Sequence, residues 1–137
     1  FGLYKGYQAY AEWEATRSSR KEQKDIDKDL KNLQQSGIKA TLTPSQISDM
    51  ANQLETAFQG YTTDVSTVNR VFVKLKNDMD MLNLKKTFGV RTISSGKWNP
   101  APDKSGSLGE IMSDELSVNE INAINMVLAK QGIKNRF

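Results

Sequence analysis

Thr43-Pro44-Ser45-Gln46-Ile47-Ser48-Asp49-Met50-Ala51-Asn52-Gln53-Leu54-Glu55-Thr56-Ala57-Phe58-Gln59-Gly60 is the stretch that decides the fold of this 137-residue chain. Thr43 is a capping residue, Pro44 stands at the first helical position, and Gln46 follows the cap by three residues. Ile47, Met50, Ala51, Leu54, Ala57 and Phe58 then recur with the helical period and give the segment one apolar face. Gly60 ends it. The same grammar of cap, periodic face and glycine stop repeats toward the C-terminus.

Thr63 or Asp64 caps the next segment, where Val68, Val71, Phe72 and Leu75 keep the helical spacing. Val71, Phe72 and Val73 alone would suit a strand, but their neighbours do not. Asn77 or Asp78 opens a shorter helix carrying Met81, Leu82, Lys85 and Phe88, stopped by Gly89. Residues 91–106 hold Ser94, Ser95, Gly96, Pro100, Pro102 and Gly106 and predict a loop, with Trp98 as a hydrophobic pin on the domain. Ser107-Leu108-Gly109-Glu110 and Ser117-Val118-Asn119-Glu120 are both capping boxes. The second leads into Val118, Ile121, Ile124, Val127 and Leu128 and is closed by Gly132, and the tail to Phe137 ends on an aromatic anchor. The predicted fold class is all-α: a long N-terminal helix over 1–40, then a compact bundle of about five short helices over 41–137.

Working toward the N-terminus, the first 35 residues read as one helix, with no Pro before Pro44 and a stop at Gly37. At about 1.5 Å per residue it reaches roughly 50 Å. Phe1, Tyr4, Tyr7, Tyr10 and Trp13 fall at every third position, so each step slips about 60° and the rings wind around the helix. Winding implies contact on several sides, as at a bilayer interface or within a subunit assembly. The alternative is a helix start that packs on its own domain. From Arg17 to Lys31 bases and acids interleave, with only Ile26, Leu30 and Leu33 as an apolar seam, which predicts a solvated stalk or a weak coiled-coil contact. Arg17, Arg20 and Lys21 stand ready for an anionic surface.

Composition removes most enzyme designs. The chain has no Cys and no His, which excludes disulfides, thiolate catalysis, imidazole ligands and His-activated nucleophiles. No glycine-rich phosphate loop and no Ser/Lys catalytic motif occurs. The acid pairs Asp78/Asp80 and Asp114/Glu115 are assigned to helix N-terminal or solvated positions, where carboxylates complement the dipole. No catalytic residue, metal, cofactor or small-molecule substrate is expected. A net charge of +3, from 19 basic and 16 acidic residues, is too small to argue for nucleic acid by itself. No run of about 18 apolar residues is present. Residue 1 is Phe, so the chain is expected to be a processed product or part of something longer, with a span ahead of it left open.

Two resemblances add to this. Leu54 to Asp64, with the helix through Val71 and Leu75 behind it, resembles the opening of an annexin repeat, matching at Gly60, Thr63 and Asp64 and departing at Thr62 and Val65. That resemblance implies a calcium-dependent membrane-binding turn at Gly60, Thr63 and Asp64. Phe88-Gly89-Val90-Arg91-Thr92, Leu108 to Leu116 and Ile133-Lys134-Asn135-Arg136-Phe137 look like small membrane-anchored helical proteins of Bacteroidota phages. This second resemblance implies a virion setting, with an internal membrane or a portal-like assembly, and a compact helical domain behind an N-terminal span.

The expected function is therefore a non-enzymatic structural component of a phage virion. Phe1, Tyr4, Tyr7, Tyr10 and Trp13 dock it to membrane or neighbouring subunits, and the helical domain contacts other virion proteins or copies of itself. The annexin-like calcium reading is the alternative. DNA contact through Arg17, Lys21, Lys24, Lys28 and Lys31 is a second one, opposed by the interleaved acids.

Overall fold

The computed structural model describes residues 20–60, 62–94 and 103–137. Its elements are α1 (residues 20–35), α2 (Pro44–Phe58), α3 (Val65–Val73), α4 (Asp78–Phe88), β1 (Val90–Ile93), β2 (Lys104–Ser107), α5 (Leu108–Glu115) and α6 (Val118–Lys130). The chain is mostly helical with one small sheet. Only the part of the predicted N-terminal helix from residue 20 onward is described, and its aromatic half lies outside the described residues.

The start signals act as their chemistry dictates. Thr43, Ser107 and Ser117 each accept from the backbone N–H three residues on, while Gln46, Glu110 and Glu120 reach back to the cap N–H. Three reciprocal capping boxes thus begin α2, α5 and α6. Asp64 caps α3 and Asn77 caps α4. Gly37 and Gly132 end α1 and α6 with φ of +79° and +76°, which lets the next N–H, of Ile38 and Ile133, turn back to Leu33 and Leu128. A side chain with a Cβ would strain at that φ.

The 91–106 region corrects the loop prediction. Its two ends pair as an antiparallel hairpin, with Val90 opposite Ser107 and Ile93 opposite Lys104. Thr92 and Ser105 join hydroxyls across it at 2.8 Å. Val90, Thr92 and Ile93 have β-branched side chains, but Lys-Ser-Gly-Ser in β2 has little strand character of its own. Ser107 is both the last residue of β2 and the cap of α5. Residues 95–102, including Trp98, lie outside the described residues.

Packing follows the predicted faces. All six apolar positions of α2 are buried, along with Val68, Val71 and Phe72 of α3 and Leu75 just past its end. Phe58 meets Phe88 edge to face at 6.5 Å, and Phe137 of the tail meets Phe72 in the same way at 5.4 Å. The tail is held further by Asn125, whose side chain accepts from Phe137 N–H and donates to its carbonyl. Val118 departs from expectation: at the first turn of α6 it is 75% exposed, while Ile124 and Leu128 carry the buried face.

The acid pairs do more than complement dipoles. Asp80 is fully buried, and its carboxylate accepts from Thr41 N–H (2.8 Å), the Thr41 hydroxyl (2.5 Å), Leu42 N–H (3.1 Å) and Lys76 N–H (3.2 Å). It lies in the first turn of α4, so the helix N-terminus also favours its charge. Asp78 accepts from the backbone N–H groups of Lys134 and Asn135, both at 2.8 Å. Asp114 and Glu115 stand in the last turn of α5, the end where a helix dipole disfavours carboxylates. Glu115 is engaged instead by the Thr63 hydroxyl at 2.8 Å and by Lys104 at 3.8 Å.

The seam of α1 is not left for a partner helix. Ile26 and Leu30 are buried on Met79 and Leu82 of α4, with Leu33 beside them, as a satellite cluster apart from the main core.

Removing the Asp80 carboxylate strands several donors at once, and a buried unsatisfied donor costs about 1–3 kcal/mol. Asp80→Ala is expected to lower unfolding free energy by about 3 kcal/mol or more. Asp80→Asn is expected to destabilise as well, since one acceptor becomes a donor facing other donors. Urea titration followed by circular dichroism measures both.

Candidate functional site

Of the residues assigned to docking by sequence, Phe1, Tyr4, Tyr7, Tyr10, Trp13 and Arg17 lie outside the described residues. Arg20 and Lys21 open the described part of α1 and are exposed. Below them α1 is locked to the domain by polar contacts as well as by its seam. Glu22 accepts from the hydroxyl of Ser107 at 2.5 Å, and Asp27 pairs with Lys86 of α4 at 3.1 Å. Gly109, in the first turn of α5, makes room for this approach: a Cβ there would sit 3.3 Å from the Glu22 carboxylate.

Beside that contact a pocket of about 250 Å³ opens where α1, α4, α5, α6 and the tail meet, lined among others by Glu22, Lys85, Ser113, Ile121, Arg136 and Phe137. Lys85 is half-buried in its wall. Its ammonium donates to Asn135 Oδ1 at 2.5 Å and stands 4.9 Å from the centre of the Phe137 ring. Burial pushes its pKa below the ordinary lysine value, and the nearby carboxylates of Glu22 and Asp29 oppose that shift. The pocket sets the cations of Lys85 and Arg136 beside the carboxylate of Glu22, and among the described residues no second titratable group is in hydrogen-bond contact with Lys85 to act as its acid or base.

In the turn from Gly60 to Asp64, the described groups of Gly60, Thr63 and Asp64 are each hydrogen-bonded. Gly60 N–H donates to Ser94 at 3.0 Å, and Asp64 N–H to Ala57 at 2.8 Å. The Thr63 hydroxyl reaches Glu115. Both Asp64 oxygens face Thr67, one accepting its backbone N–H at 3.1 Å and the other its hydroxyl at 2.7 Å. These bonds, the hydroxyl's foremost, hold the Asp64 carboxyl below its usual range, with Arg70 contributing less. The polar groups of this turn thus join α2, α3, α5 and the residue that follows β1. Among the described residues no three of His, Cys, Asp and Glu converge as a metal-binding group, and no helix is long and apolar enough to cross a membrane.

Sequence reasoning missed Glu22 and Lys85. For Lys85 a signal existed, because the helical period of Met81, Leu82 and Phe88 already places a lysine on the core-facing side of α4. For Glu22 there was none, since its partner Ser107 is distant in sequence.

A depressed lysine pKa means that the folded chain binds fewer protons than the unfolded one between the folded value and 10.5, so stability rises with pH across that window. Lys85→Met is expected to flatten this alkaline rise, read from denaturant midpoints at closely spaced pH values. Compared with protein-family models, with curated proteins and with solved structures, the chain finds no match in any of the three.

Proposed function

We propose that this chain is a non-enzymatic structural component of a phage particle. Its aromatic N-terminal segment docks to a membrane or to neighbouring subunits, and the helical domain makes protein contacts. The observation that carries this reading is the side-on fixing of α1 to the domain by three unlike contacts. They are the Ile26 and Leu30 seam on Met79 and Leu82, the Glu22–Ser107 hydrogen bond, and the Lys86–Asp27 ion pair. A helix fixed this way passes to the domain any load taken up by the residues before it, which a freely jointed tail would not do.

The composition supports the same reading: a chain without His or Cys has few routes to catalysis. The particle as its setting rests on the resemblance of residues 88–92, 108–116 and 133–137 to membrane-anchored phage proteins. Docking residues in this reading are Phe1, Tyr4, Tyr7, Tyr10 and Trp13, with Arg17, Arg20 and Lys21 beside anionic groups.

Deleting residues 1–16 is expected to leave a folded, monomeric helical domain that no longer co-sediments with liposomes or particles. Association undiminished by the deletion, measured by flotation, removes the docking role from the aromatic segment.

A further inference from the structure

Along the sequence α1 mixes both signs of charge, but the fold separates them. At about 100° per residue, Arg20, Lys21, Lys24, Lys28 and Lys31 share an arc of about 100° on the side opposite the Ile26–Leu30–Leu33 seam. All five are exposed. Among the described residues none of them lies within ion-pair distance of a carboxylate. Three of the four acids have their charge engaged by groups of the domain, although Asp27 and Asp29 are themselves exposed. Glu22 meets Ser107, Asp27 pairs with Lys86, and Asp29 acts on Lys85 of α4. Asp25, Asp27 and Asp29 are all exposed, and Asp25 and Asp27 flank the basic strip on its two sides, Asp27 with its charge engaged by Lys86 and Asp25 without a salt bridge among the described residues.

We infer that this strip is a docking surface for the phosphate backbone of duplex nucleic acid. It runs about 16 Å along the axis at about 1.5 Å per residue. An equal length of duplex offers roughly nine phosphates, one per ~1.7 Å. The strip carries no apolar side chain, and the one apolar seam of the helix is buried on α4. A bilayer interface takes up a helix through an apolar face, which α1 does not have to give. A membrane met end-on would reach only the first bases, since Lys31 would then stand more than a Debye length of about 8 Å behind Arg20. A cylindrical polyanion lying beside α1 meets all five. The inference is independent of the aromatic segment and of what that segment docks to.

The test uses the 137-residue chain with a fluorescent 20-base-pair duplex and, in parallel, vesicles of phosphatidylcholine with phosphatidylserine. The duplex should bind with an affinity that falls steeply as salt is raised. Combining Lys21→Gln, Lys24→Gln, Lys28→Gln and Lys31→Gln should weaken binding about tenfold or more at about 50 mM salt and reduce the log–log salt slope by about 3 to 4. A control that removes equal charge elsewhere, Lys39→Gln with Lys74→Gln, Lys76→Gln and Lys130→Gln, should leave affinity within about threefold. Asp25→Lys, which extends the strip with little demand on the fold, should tighten binding and raise the slope by about 1. No duplex binding at low salt overturns the inference. So does equal loss in the two charge-removed variants, or vesicle binding lost with the strip while the duplex is ignored.

Discussion

A carboxylate taken wholly out of water must have its charge answered locally, and Asp80 shows how much structure that requirement organises. Three backbone N–H groups and a hydroxyl converge on it, two of the N–H groups and the hydroxyl from Thr41 and Leu42 and the remaining N–H from Lys76. The connection between α1 and α2 is thereby fastened to the first turn of α4. Asn77 next to it closes the arrangement, capping Asp80 N–H and donating to the Lys39 carbonyl. The chain just before α2 is thus held where this one carboxylate sits. The satellite cluster of Ile26, Leu30, Met79 and Leu82 holds α1 on the same helix that carries Asp80.

Local chemistry was legible wherever cause and effect lie within a few residues. The three capping boxes and the apolar face of α2 are short-range patterns and formed as read, and of the paired cap candidates the structure uses Asp64 over Thr63 and Asn77 over Asp78. What could not be read are pairings between distant residues. Lys104 to Ser107 becomes a strand only because Val90 to Ile93 is there to pair with it. Asp80 looked like an ordinary first-turn acid, since its partners at Thr41 and Leu42 lie far back in the chain. Of the helix N-terminal or solvated positions expected for Asp114 and Glu115, the solvated one holds for exposed Asp114, whereas Glu115 is half-buried at the end of α5 on Thr63, an engagement that depends on tertiary context.

The candidate site divides in the same way. Lys85 could be suspected from its position on a core-facing stripe, but its pairing with Asn135 and Phe137 could not, because the tail folds back from the end of the chain. On α1 the linear pattern of charges does not show how they are distributed around the helix. Alternating acids suggest a neutral surface, yet a helix sorts residues by angle and not by order. Burying one face then selects which charges remain outside. Glu22, Asp27 and Asp29 find partners or influence on the domain, whereas the bases between them do not.

One consequence concerns the length of the chain. Ser107 closes the hairpin and opens α5 with no spacer between them, so strand register and helix phase share a single residue. Inserting one residue there would either turn α5 by about 100°, taking Ile111 and Met112 out of the core together, or, with α5 held in place, slip the preceding strand by one and send its side chains to the opposite face. Lineages carrying this domain should therefore tolerate gain or loss of residues elsewhere long before they tolerate it at this joint, which behaves as a fixed ruler inside an otherwise adjustable fold.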